Sequence, residues 1–131
     1  MTQAELLNQS LEQVITVLQD PTDAIFDLMY QRHPELRTFQ RDDNSWQNYM
    51  IQEIMENLIY MMESPGVALS IIRDMTQHHH LIGVDSDTFK GLYTAIQDTV
   101  TPLLSGPDRE AMIALWQDLV RDIHASIDAS I

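Results

Sequence analysis

The apolar residues of this chain recur every three to four positions from one end to the other, and that spacing restricts the fold more than any other feature. Leu7, Leu11, Val14 and Leu18 make a first stripe, and Ala24, Ile25, Leu28 and Met29 a second. From Gln47, the set Met50, Ile51, Ile54, Met55, Leu58 and Met62 follows one face of a long helix. Leu69, Ile72, Met75 and His79 come next, then Phe89, Leu92, Tyr93, Ile96, Val100 and Leu103. Met112, Leu115, Trp116, Leu119, Ile123 and Ile127 close the series. A helix turns once in 3.6 residues, so each set lies along one side of a rod. A half-buried strand alternates with period two, and no convincing segment does so. The expected class is all-α, with about six to seven helices.

The breaks between stripes have local causes. Asp20-Pro21 reads as an N-cap followed by proline in the first turn. Pro34 ends or bends the second helix, and 34–45 is a connection rich in Asp and Asn. Ser64-Pro65 separates two helices, and Gly83 follows a helix end where a left-handed residue is often needed. Asp85 or Ser86 caps the next helix, Pro102 stops it, and Ser105-Gly106-Pro107 turns the chain. Connections are short and no repeat is visible, so residues 1–131 read as a single domain. Apolar residues make up 44%, enough to fill a core.

Charge and cysteine content exclude several functions. Twenty acidic against seven basic residues leave a net charge of −13, which repels nucleic acid and anionic lipid. With no Cys, disulfides, thiolate haem ligation and cysteine-held iron–sulfur clusters are excluded. The start, Met-Thr-Gln-Ala-Glu, has no basic region leading into an apolar run, and no apolar stretch approaches a membrane span. A cytoplasmic protein is expected. There is no Gly-rich phosphate loop, no His-Glu-x-x-His and no nucleophilic triad. Asp42-Asp43 lacks a calcium-loop context, and Asp85-Ser-Asp87 reads better as a helix cap.

What remains is His79, in Gln-His-His-His-Leu-Ile-Gly-Val (77–84). It shares a helix face with Ile72 and Met75, as a ligand to an apolar, buried disc must. His78 and His80 point about 100° to either side, so the three cannot chelate one ion. A lone His on an apolar face is by itself an ordinary core or boundary residue. Phe26 and Phe39 would be buried in any fold, and the eight Met residues fill core gaps in the plainest reading.

The motif His79-x-x-x-Gly83-Val84, with Phe89 ten residues after the His, resembles the proximal region of bacterial single-domain globins. His-Pro-Glu-Leu-Arg-Thr-Phe (33–39), Asn-Gln-Ser-Leu-Glu-Gln-Val (8–14) and Ala-Leu-Trp (114–116) resemble further segments of that family, and the likeness runs over about residues 5–124. It implies a globin-like fold around a haem pocket and reversible binding of a diatomic gas, with oxygen first and nitric oxide or carbon monoxide as other ligands. His79 would be the iron ligand, its imidazole N–H bonded to the Met75 carbonyl. Gln47, with Ile51 one turn later, would face the iron from the other side. Phe39 would stack on the ring, Phe26 would line the pocket from the second helix, and Phe89 would clamp the proximal side. The resemblance also allows a homodimer.

Many bacterial globins carry Tyr at the position of Phe26, and flavohaemoglobin-like proteins carry Tyr at that of Val120. On this expectation Gln47 is the one hydrogen-bond donor to a bound gas. Two other readings stay open. One is a haem-free globin-fold sensory or interaction module. The other is a nitric-oxide dioxygenase-like enzyme, which would need a separate reductase because no flavin or nicotinamide motif is present.

Overall fold

Four of the six α-helices begin at a capping side chain or a proline. In the computed structural model, which describes residues 1–131, the first helix, α1 (Gln3–Leu18), starts at Thr2. The Thr2 hydroxyl accepts the Glu5 N–H at 3.1 Å while the Glu5 carboxylate accepts the Thr2 N–H, a reciprocal capping box. α2 spans Thr22–Arg32. Pro21 immediately precedes it, but Asp20 performs the capping, accepting the Thr22 N–H at 2.9 Å and its hydroxyl at 2.6 Å. The other Asp20 oxygen accepts from the Asn48 amide at 2.6 Å, tying this corner to the third helix. These donors hold the Asp20 carboxyl below its ordinary pKa, the Thr22 hydroxyl contributing most.

The connection after Pro34 is more ordered than its composition suggested. Residues Pro34–Phe39 form a 3₁₀ segment with proline in its first turn. α3 (Ser45–Glu63) and α4 (Pro65–Leu81) follow, joined at Ser64. The end of α4 is closed by the Val84 N–H bonding to the His79 carbonyl at 2.9 Å, with Gly83 at φ +94° between them. α5 (Ser86–Val100) is capped by Asp85, which accepts the Thr88 N–H at 2.8 Å. A short 3₁₀ turn at Pro102 leads to α6 (Arg109–Ala129).

The protein is entirely helical, as the apolar spacing required. α3 packs on α4 and α5 on α6, α2 lies across α5, and α1 and α4 both pack on α6. One continuous core results, with Trp116, Ile72, Ile96, Met112 and Ile123 at its centre. The Trp116 indole N–H donates to the Ser10 hydroxyl at 2.9 Å, which donates in turn to the Leu7 carbonyl at 2.7 Å. The last helix is thereby fixed to the first without leaving a buried polar group unpaired there. No helix is long and apolar enough to cross a membrane.

On α6 every residue of the expected stripe is buried. On α4 the enclosed line is instead Ala68, Ile72 and Thr76, while Leu69, Met75 and His79 lie on its flank. That offset places His79 at the edge of the core, where the helices leave a space.

Candidate functional site

α2, the Pro34–Phe39 segment, α3, α4 and the start of α5 line an apolar cavity of about 340 Å³ that is partly open to solvent. This volume lies at the small end of those that hold cofactor-sized molecules. Phe26, Met29 and Tyr30 line it from α2, Leu36 and Phe39 from the 3₁₀ segment, and Trp46 and Met50 from α3. His79 contributes from α4, Ile82 and Val84 from the turn after it, and Thr88, Phe89 and Leu92 from α5. Arg41, on the connection into α3, supplies the one permanent charge in the lining.

His79 is half-buried, and its Nδ1 lies 2.7 Å from the Met75 carbonyl oxygen. A carbonyl only accepts, so Nδ1 carries the hydrogen and Nε2 keeps its lone pair. The ring stacks on Phe89. Burial lowers the imidazole pKa from its ordinary value, the Met75 bond opposes this, and nearby His78 adds to the lowering. The result is a neutral, oriented imidazole able to act as a Lewis base. His78 and His80 are exposed, and no group of three or more His, Asp or Glu side chains is gathered to hold an ion.

The facing wall is aromatic. Phe26 meets Trp46 edge to face, with centroids 5.6 Å apart and planes at 80°. Tyr30, one turn beyond Phe26, is buried, and the Gln47 amide donates to its Oη at 2.5 Å. Burial raises the Tyr30 pKa, with Gln47, Arg37 and Gln40 opposing, so the phenol is neutral. Because Oη accepts from Gln47, the Tyr30 O–H is left to donate elsewhere.

Four of the residues singled out from the sequence meet at this cavity: Phe26, Phe39, His79 and Phe89. Met75 is partly buried and contributes its carbonyl to His79. Gln47 and Ile51 are buried on α3 but do not line the space, which Trp46 and Met50 line instead. Neighbouring helical positions point about 100° apart, so a small rotation of α3 decides between these pairs. The sequence reading missed Tyr30, Trp46 and Arg41. Tyr30 stands four residues after Phe26 and Met50 four after Trp46, and each pair therefore shares a face with its partner.

Comparison with protein-family models, characterised proteins and solved structures gave no match for this chain.

Proposed function

We propose that the cavity holds haem within a globin-like arrangement of helices and that the protein reversibly binds a diatomic gas, oxygen first among them. One observation carries this reading: an imidazole with a free Nε2 lone pair, oriented by the Met75 carbonyl, stands in the wall of an apolar cavity. A porphyrin is a flat apolar disc that requires such walls, and a single His is a common protein ligand to its iron. The donor set suits that group and suits a chelated zinc or calcium ion poorly, since no group of three or more His, Asp or Glu side chains is gathered around His79.

Haem, when bound, would supply an iron able to take a small gas ligand reversibly. His79 is the residue that holds it, and the Met75 carbonyl fixes the tautomer this needs. Phe26, Phe39, Trp46 and Phe89 would line the faces of the disc and limit the access of water to it. Tyr30 is the hydroxyl on the facing wall, and Gln47 acts by positioning Tyr30.

The test is the visible spectrum of the purified protein with added haemin, oxidised, reduced with dithionite, and then under carbon monoxide. A Soret band that shifts at each step, and is lost or greatly weakened in His79→Ala, is the expected result. A protein that takes up no haemin, or whose His79→Ala variant gives the same spectrum and affinity, overturns the assignment. The first outcome leaves the haem-free module as the better account.

A further inference from the structure

Twenty carboxylates surround seven basic side chains, yet two of those seven stand beside the cavity without a carboxylate partner. Arg32, Arg73, Lys90 and Arg121 each lie 2.8 to 3.8 Å from a carboxylate oxygen. Arg109 is bonded to the Leu104 carbonyl at 3.0 Å. Arg37 and Arg41 form no ion pair. Arg41 lines the cavity, and the Arg37 guanidinium carbon lies 5.2 Å from the centroid of Tyr30, another lining residue.

Arg41 is also held in place. One of its terminal nitrogens donates to the carbonyls of Thr38 and Gln40, both at 2.8 Å, and its backbone N–H donates to the Asn44 side chain at 3.0 Å. The other guanidinium nitrogens have no protein acceptor, which leaves donors for a ligand. The nearest acidic residues in the sequence do not compete for them: Asp43 is turned to accept the Ser45 N–H at 2.9 Å, and Asp42 forms no ion pair. A chain of net charge −13 repels anionic ligands at long range, so an anionic group can be held only where cations are set locally.

We propose that the cavity's ligand carries carboxylate groups, that these lie at the rim between the 3₁₀ segment and α3, and that Arg41, assisted by Arg37, binds them. The proposal builds on the reading of the cavity as a porphyrin site, but it depends on the carboxylates and not on the iron. The planar fork of a guanidinium matches a carboxylate with two parallel hydrogen bonds. The ligand is thereby oriented, with its apolar edge among Met29 and Leu92 and its acidic edge toward solvent.

The test uses metal-free protoporphyrin IX and its dimethyl ester, titrated by fluorescence into the full chain and into Arg41→Gln, Arg41→Lys and the Arg37→Gln/Arg41→Gln double variant. Both arginines are exposed, and circular dichroism checks that each variant is folded. The wild type is expected to bind the free acid about tenfold or more tighter than the ester, the range for charge-assisted hydrogen bonds. Arg41→Gln should remove most of that preference by weakening the free acid far more than the ester. Arg41→Lys should restore part of it, and the double variant should abolish it. Equal binding of acid and ester by the wild type, or equal weakening of both by Arg41→Gln, overturns the proposal. Haemin uptake through His79 alongside either of those results leaves the haem reading intact. An Arg41-dependent acid preference without haemin uptake has the reverse meaning. Failure to bind either porphyrin rejects both.

Discussion

The imidazole of His79 lies close to parallel with the ring of Phe89, their centroids 4.6 Å apart and their planes at 25°. Phe89 meets Tyr93 edge to face at 5.6 Å, so the contact continues from the cavity wall into the core. Burial there raises the Tyr93 pKa well above its ordinary value, and the phenol stays neutral. The orientation of the candidate ligand on α4 therefore depends on α5 as well as on its own helix.

Phe89 is only 2% exposed, and Phe89→Ala should cost about 3–5 kcal/mol of stability through lost burial and the cavity left behind. Phe39 is only partly buried and should cost less when replaced by Ala. Urea unfolding of both variants checks the order. An equal or larger loss in Phe39→Ala contradicts it.

Tyr30→Phe removes the acceptor of the buried Gln47 amide and the one hydroxyl carried by the aromatic residues of the cavity lining. Leaving that amide unpaired should cost about 1–3 kcal/mol in unfolding experiments. In the haem-loaded, reduced protein the affinity for oxygen should fall about tenfold relative to that for carbon monoxide, the scale of one hydrogen bond. An unchanged partition between the two gases removes Tyr30 from the gas-binding role.

The lowered pKa of His79 sets the sign of a pH effect. The folded protein binds this proton less readily than the unfolded chain, in which the ordinary value is about 6.5. Stability is therefore unaffected by His79 well above that value, and it falls as the pH drops through 6.5 toward the lower folded pKa. Asp20 and Asp85 act in a different window. Their pKa values are depressed by their capping bonds, so their contributions are present above the ordinary 3.8 and are lost below it. Urea midpoints between about pH 8 and about pH 5 should decline less in His79→Gln than in the wild type. Identical slopes reject the effect.

A methyl group on Gly91 would come within 2.9 Å of His33 Nε2, so this helical glycine makes room for the residue that immediately precedes the 3₁₀ segment. Alanine in place of glycine inside a helix contributes about 1 kcal/mol when nothing obstructs it. Gly91→Ala should gain less than this in the wild type, because the imidazole must move, and should gain the full amount in a His33→Ala background. A double-mutant cycle measures the coupling, and additivity of the two changes refutes the contact.

Much of the architecture could be read from residues close together in the chain. Asp20, Ser64-Pro65, Gly83 and Asp85 mark helix boundaries because capping needs only side chains within a few positions of the helix end. The α6 stripe from Met112 to Ile127 is buried as expected, since that helix is covered along one well-defined side. The stretch 34–45 was less readable: its 3₁₀ turn depends on Leu36 and Phe39 finding a cavity made by other helices. At the site, His79, Phe89 and Phe39 were recognisable, because each belongs to an apolar stripe or to a motif of fixed spacing, whereas Phe26 entered only through the family resemblance. Tyr30 and Arg41 were not, because their significance lies in what they face.

The sequence by itself determined that the chain is helical, roughly where each helix starts and stops, and that His79 shares a face with Ile72 and Met75. Periodicity and capping are local, so they survive without knowledge of any partner. Only the tertiary structure decided that Trp46 and Met50, and not Gln47 and Ile51, line the cavity, that Gln47 bonds Tyr30, and that two unpaired arginines stand at the cavity. Adjacent helical residues differ by about 100° in direction, and the rotation of α3 is set by its packing against α1, α2 and α4, which no local pattern encodes.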